Sequence, residues 1–199
     1  GVDRQGRGDA AIANFTTLSD AGDGATLVRD LLISNNLVLA AGVNELQTPA
    51  GGAILSGILS GSGQLLKTGN GWLTLTGANT YSGGTHLTEG VLVAGSAGAL
   101  GTGDVTFTGG VLRFTANSTG VAWAERIKNS PAPVTLDSAG LNLSVNGLVA
   151  SNTGGLTKLG QGTLSLVGAS SYGGETRVNT GTLKLVTTLG AATVATSTG

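Results

Sequence analysis

The chain contains no cysteine and no methionine, only three prolines and one histidine, 4% aromatic residues and 11% charged residues. Without cysteine there is no disulfide, no thiolate nucleophile and no Cys-ligated zinc or iron–sulfur site. Ten Lys+Arg stand against eleven Asp+Glu, a net charge of −1 with a pI near 5.7. That balance lacks the clustered basic footprint of a nucleic-acid binder, so no nucleic-acid partner is expected. Three prolines without a strict G-x-y period exclude collagen. Mean hydropathy is +0.25, yet no apolar run approaches the roughly 18 residues needed to cross a bilayer. No basic stretch followed by an apolar core opens the chain, so any signal peptide is expected to lie outside these residues or to have been removed.

What the chain has in excess is glycine, 36 of 199 residues, where average usage is about 7%. The length accommodates one or two globular domains, or one elongated one. Helical periodicity is nearly absent. Apolar residues alternate with Ser and Thr in short runs, as at Leu73 and Leu75, Val105 and Phe107, Leu141, Leu143 and Val145, Leu164 and Leu166, and Leu183 and Leu185. Gly, Asn or Ser flank each run. Period-two alternation with a polar second face predicts half-buried strands, and the frequent glycines supply corners where positive φ is needed. The expected fold class is all-β. Val121–Lys128 departs from the pattern, and the following Asn129-Ser130-Pro131 predicts either a helical turn or two or a bulging loop packed by Trp123.

The chain also repeats itself. Aligning Leu65 with Leu156 gives an offset of 156 − 65 = 91, which holds without a gap to Leu92 and Leu183. The matched pairs include Lys67/Lys158, Gly69/Gly160, Gly71/Gly162, Leu73/Leu164, Leu75/Leu166 and Gly77/Gly168. Tyr81/Tyr172, Gly83/Gly174, Thr85/Thr176 and Gly90/Gly181 continue the series. Each copy holds three strand signals separated by Gly-rich corners, with Leu, Tyr and Val at inward positions. Matched glycines are expected to serve as the same corners in both copies. A unit this small cannot bury its own apolar face and must stack on others like it. Gly103–Phe114, between the copies, is built of the same material. The chain reads as consecutive coils of one solenoid, a single segment over 1–199 with repeat copies at 63–93 and 152–185.

The first copy, GQLLKTGNGWLTLTGANTYSGGTHLTEGVLV (Gly63–Val93) with GSAGALGTGDV (Gly95–Val105) after it, resembles the passenger-associated transport repeat of bacterial autotransporters. Asn152–Leu185 is a second copy. It departs from the double glycine of the first by having Gly173, Gly174 and then Glu175, which predicts a corner that is shifted or carries a side chain. The resemblance implies a right-handed parallel β-helix of roughly eight or nine coils, about 40 Å long at ordinary strand spacing. It also implies a secreted or surface-exposed passenger, with a translocator β-barrel in the same or a partner chain. A further implication is that the repeats fold first outside the cell and so assist secretion. Thr188–Gly199 shows no polar cap, so the natural chain is expected to continue or to stack on another subunit.

Residues with chemical potential are few. His86, the sole histidine, occupies the place of Arg177 in the second copy and reads as an exposed surface residue, since a general base needs an orienting partner within reach. No G-x-S-x-G elbow is present. Asp20, Asp23, Asp30, Glu45, Asp104, Glu125, Asp137 and Glu175 are scattered rather than recurring at one place in the coil, as a glycosidase carboxylate pair spread over several coils still allows. Ser19–Gly24 (SDAGDG) lacks the spacing and closing Glu of an EF-hand and reads as a Gly/Asp turn. Arg7-Gly8-Asp9 matches an adhesion tripeptide read by integrins, within a polar N-terminal stretch. Lys67 and Lys158, each before a Gly-rich corner, read as edge charges that limit sideways association. No cofactor, metal or catalytic residue is expected. The expected role is a structural or interaction protein serving adhesion, self-association or display, with a host-cell or extracellular-matrix surface as partner. The alternatives are a filament of end-to-end stacked β-helices, a polysaccharide-binding or -cleaving β-helix, and a receptor-binding module.

Overall fold

A computed structural model describes residues 31–48, 50–119, 124–146, 148, 151–186 and 193–196. Arg7-Gly8-Asp9, Ser19–Gly24, Asp20, Asp23, Asp30 and Trp123 lie outside the described residues, as does the final stretch except Thr193–Thr196. The strands in chain order are β1 Leu31–Ile33, β2 Leu37–Leu39, β3 Val43–Gln47, β4 Gly52–Leu55, β5 Leu59–Gly61 and β6 Gln64–Thr68. Then come β7 Trp72–Leu75, β8 Thr85–Leu87, β9 Val91–Ala94, β10 Val105–Phe107, β11 Val111–Phe114 and β12 Val134–Asp137. The last six are β13 Leu143–Asn146, β14 Leu156–Leu159, β15 Thr163–Val167, β16 Glu175–Val178, β17 Thr182–Leu185 and β18 Thr193–Thr196.

Every pairing among the described strands is parallel, and the chain winds as a β-solenoid. The longest face carries nine strands in the order β1-β4-β7-β9-β11-β12-β14-β16-β18, with smaller sheets β10-β8-β6-β3, β13-β15-β17 and β2-β5. Eight strand spacings of about 4.8 Å give the nine-stranded face a length of about 38 Å. One turn takes from 18 residues, Thr176 to Val194, to 24 residues, Leu112 to Leu136. Parallel strands so close in sequence are possible because each turn visits other faces before returning.

The alternation read from the sequence sets which side chains point inward. Leu65, Thr85 and Val105 stack as one inward ladder, and Ala53, Leu73, Leu92, Leu112 and Leu136 as another. Apart from the small Ala53, at 5% exposure, these are essentially fully buried and join one continuous core. Full burial of such a leucine is worth about 2 kcal/mol relative to exposure. The core thins at β17, the terminal strand of its sheet, where Leu183 is half-buried and Leu185 exposed because no described strand covers them.

The longest coil, between β11 and β12, carries two short 3-10 turns, Ala116–Ser118 and Ala124–Arg126. In the first, Thr115 N–H donates to Ser118 Oγ (2.9 Å) and the Ser118 hydroxyl donates back to Thr115 O (3.0 Å). After the second, Ile127 returns to the solenoid by bridging Val105. Among the described residues of Val121–Lys128, the expected helical turn is the 3-10 turn Ala124–Arg126.

The two repeat copies lie on different pairs of faces. In the first copy β6 and β8 belong to the four-stranded sheet and β7 and β9 to the nine-stranded one. In the second, the equivalent β14 and β16 belong to the nine-stranded sheet and β15 and β17 to the three-stranded one. Four turns carry Leu73 to Lys158, 85 residues on, so the 91-residue offset places the second motif six residues further along the coil, on the next face. The corner after the tyrosine also shifts: Gly84 holds positive φ (87°) in the first copy, whereas in the second it is Gly174 (75°), the counterpart of Gly83. Glu175 could not adopt that conformation without strain, so the left-handed residue moves back by one.

The expectation that matched glycines form the same corners is corrected at two further places in the second copy. Gly162 (φ 86°) and Gly168 (φ 91°) are left-handed, whereas their counterparts Gly71 and Gly77 are not. These two glycines flank β15, and β15 lies on a different sheet from β7, so the chain enters and leaves it by different bends. Gly181 (φ 75°) is left-handed like Gly90 (φ 63°), yet it is exposed where Gly90 is half-buried. Gly181 leads into β17, which ends its sheet, whereas Gly90 leads into β9, which β11 covers.

Candidate functional site

The polar residues of the repeat turn inward. Lys67 lies two positions after Leu65 on β6, so alternation points it into the core, and it is fully buried. Its ammonium donates to the carbonyls of Thr68 (2.8 Å), Gly69 (2.8 Å) and Glu89 (3.2 Å). Lys158, also fully buried, donates to Leu159 (2.8 Å), Gly160 and Thr180 (3.2 Å), each the 91-residue counterpart. Three N–H donors meet three carbonyls, two from the lysine's own corner and one from the next turn. The corner geometry depends on glycine: Gly69 and Gly160 sit at φ 75° and 74°, and a Cβ at Gly69 would collide with the Thr48 carbonyl of the preceding turn. Gly181 closes the second brace from the next turn, since a Cβ there would crowd the Gly160 and Gly162 carbonyls and the Lys158 ammonium.

These lysines are thus cross-braces between successive turns. The reading of Lys67 and Lys158 as edge charges is corrected, and the physical reason is parity. At each corner one carbonyl also accepts a backbone N–H, Thr68 O from Thr48 (3.1 Å) and Leu159 O from Ser138 (3.1 Å), and the inward ammonium serves the others, which have no strand partner. Burial lowers the Lys67 pKa from 10.5 to about 8, with the Glu89 charge opposing. Burial likewise lowers that of Lys158, with Asp137 opposing. The sequence did carry a signal for this, since L-x-K-x-G places the lysine on the inward parity just before a glycine.

The tyrosines follow the same logic. Tyr81 is fully buried, and its hydroxyl lies 2.6 Å from Thr85 Oγ1. Tyr172 and Thr176 repeat the pair at 2.6 Å. Burial raises both tyrosine pKa values, and the threonine hydrogen bonds oppose it. Between the strands, Asn79 accepts from Leu59 N–H (2.8 Å) and donates to Ala99 O (2.6 Å), tying three consecutive turns together. Arg126, delivered by the second 3-10 turn, donates from Nε to Gly103 O (2.9 Å) and from Nη2 to Leu100 O (2.7 Å). It clamps the long coil onto the loop that leads from β9 to β10.

The remaining chemical candidates do not converge. His86 is half-buried rather than exposed, on the outer side of β8 between Leu66 and Thr106 of the flanking strands, and this partial burial lowers its pKa. The carboxylates are engaged one by one. Thr68 Oγ1 donates to Glu45 (2.5 Å), Asn146 donates to Glu125 (3.0 Å), and Asp104 pairs with Lys128 at 3.2 Å. Glu175 pairs with Arg177 at 2.7 Å. Asp137 pairs with Arg113 Nε (2.8 Å) and accepts from the N–H of Ala139 (2.8 Å), holding that residue's left-handed turn. Among the described residues no group of three or more His, Cys, Asp or Glu side chains gathers at metal-binding range.

Two stretches, residues 65–94 and 156–185, match the family model of the passenger-associated-transport-repeat. The chain is also 41% identical over 113 residues to an adhesin autotransporter, BmaC, of Brucella suis biovar 1 (strain 1330). That alignment covers 55% of this chain but only 3% of the relative, so the chain spans a small part of the adhesin it matches. No solved structure matches the chain significantly. The passenger repeat implies a surface-exposed or secreted location and an associated translocator. Two such repeats on a parallel β-solenoid, with 41% identity to a stretch of an adhesin autotransporter, support the reading of this chain as an autotransporter passenger segment.

Proposed function

We propose that the chain is one length of a longer surface-displayed passenger whose role is interaction rather than catalysis. It holds outward faces away from the cell to adhere to host-cell or extracellular-matrix surfaces, or to neighbouring passengers. The observation that carries this reading is where the repeat spends its reactive groups. Both lysines, both tyrosines and their threonine partners are consumed inside as bracing. The kinship to an adhesin supports the same reading. The repeats also aid secretion, because each braced turn stacks on its neighbour and offers a finished edge to the next turn.

The test presents the purified chain to matrix-coated and host-cell surfaces and measures retention against an unrelated β-solenoid. Retention above that control is expected, and its absence would refute adhesion. An Asp9→Glu variant reports whether Arg7-Gly8-Asp9 contributes. Deleting residues 156–185 from the full passenger should lower the amount reaching the surface; unchanged export and folding would refute the secretion role.

A further inference from the structure

The two repeat copies act as an internal control for what the solenoid itself requires. Their inward residues agree, but their outward residues do not. Trp72, Thr74, Val91 and Val93 of the first copy correspond to Thr163, Ser165, Thr182 and Lys184 of the second. The scaffold therefore accepts polar side chains at these places, and the apolar ones are not needed for folding.

Register gathers them. Gly52, Trp72, Val91 and Val111 lie side by side on the outer surface of the nine-stranded sheet, and Leu32, Ile54, Thr74 and Val93 form the adjoining row, which ends at Arg113. The Trp72 indole lies flat over Gly52, filling the space a Cβ would take. Leu32 is 65% exposed, and Ile54, Trp72, Val91, Val93 and Val111 are half-buried by one another. The result is a flat uncharged stripe five strands long, about 19 Å at ordinary spacing. Beyond it the same face turns polar, with the Arg113–Asp137 pair, Thr157 and Arg177.

We propose that this stripe, on β1, β4, β7, β9 and β11, is a face-to-face contact between two copies of this chain. The inference rests on the interaction role above and names its partner. Three features favour a second copy. A partner with the same strand spacing matches the rows rung for rung, and sheets bury such faces at about 10 Å separation. The stripe carries no charge, and a net charge of −1 leaves two chains with little mutual repulsion at close approach. A two-fold arrangement places each stripe on the other and keeps both polar halves in water. A sugar would demand several polar donors beside Trp72, where the register places Val91 and Gly52, with Thr74 alone supplying a hydroxyl from the adjoining row. An anionic lipid surface would demand a basic rim, where only Arg113 stands, already paired to Asp137.

The stripe is small against a stable interface, so the contact is weak for a pair in solution and strengthened by crowding on one surface. Sedimentation of the full chain across a concentration series tests it. The wild type should show reversible dimers. A variant carrying the second copy's own residues, Trp72→Thr, Val91→Thr and Val93→Lys, should associate at least about tenfold more weakly with circular dichroism unchanged. If the triple variant is misfolded, Val93→Lys alone serves, placing one charge in the stripe. Ser165→Lys, at the second copy's counterpart of Thr74, should leave association as in the wild type. A wild type monomeric throughout, or association indifferent to these changes, overturns the proposal. Retention on host or matrix surfaces is measured separately: retention by a monomeric chain sinks the dimer and leaves adhesion standing, and dimers without retention do the reverse.

Discussion

Replacing Lys67 by methionine tests the buried brace directly. Methionine matches the length of the lysine stem and removes only the ammonium and its three hydrogen bonds. The carbonyls of Gly69 and Glu89 then lose their donor, while that of Thr68 keeps the N–H of Thr48 (3.1 Å). An orphaned buried polar group costs about 1–3 kcal/mol. Two terms offset part of that sum. Burying an ammonium is itself costly, as its lowered pKa records, and Gly69 and Glu89 sit at a corner where water can reach some carbonyls after a small shift. A net loss of about 2–3 kcal/mol is expected. Urea unfolding followed by the fluorescence of Trp72, three residues beyond Gly69, reads it out. Because solenoids open turn by turn, amide hydrogen exchange along β6 to β9 should show the loss concentrated there. Lys184→Met, at an exposed lysine, is the control and should stay within about 0.5 kcal/mol of the wild type. A Lys67→Met variant as stable as that control would refute the brace and restore the lysine to a surface role.

Two further outcomes follow from the same interior. Tyr81→Phe leaves the Thr85 hydroxyl buried alone and should cost about 1–2 kcal/mol, most of it recovered when Thr85→Val is added; urea midpoints of the two single variants and the double close that cycle, and simple additivity would contradict the pairing. The alkaline limb of stability should be two-phased. Between about pH 8 and 10.5 folded Lys67 gives up a proton that the unfolded chain keeps, so this group adds stability as pH rises. Above pH 10 unfolded tyrosines ionise while Tyr81 and Tyr172 stay protonated, so stability falls. Unfolding midpoints at pH 7, 9 and 11 check the order, and a steady fall from pH 7 to 9 would contradict the lysine contribution.

Much of the architecture was legible before any coordinates. Alternation at Leu73/Leu75 and Leu164/Leu166 marked inward positions, and these side chains are buried. Glycines at matching places marked corners, and Gly69, Gly90, Gly160 and Gly181 all hold positive φ. The match misled at Gly162 and Gly168, which are left-handed although Gly71 and Gly77 are not, because the bend at a corner depends on the sheet it leads to. Lys67 was misread although its parity was visible, because a charged residue is expected outside unless its partners are known, and here the partners are backbone carbonyls with no sequence identity. His86 was read as exposed because nothing local reveals the strands on either side of it.

What the sequence alone determined is therefore what is local: strand, corner, inward set and the 91-residue repeat, each set by alternation and by glycine's access to positive φ. Tertiary structure decided what depends on the count of residues in the intervening turns. The 24-residue coil between Leu112 and Leu136, against 19 between Leu73 and Leu92, accompanies the shift of the second copy by one face. That winding decides which outward residues share a surface. It also gathers Trp72, Val91 and Val111 into one stripe while the equivalent places of the second copy stay polar on another sheet, because neighbours across a solenoid are a full turn apart in the chain.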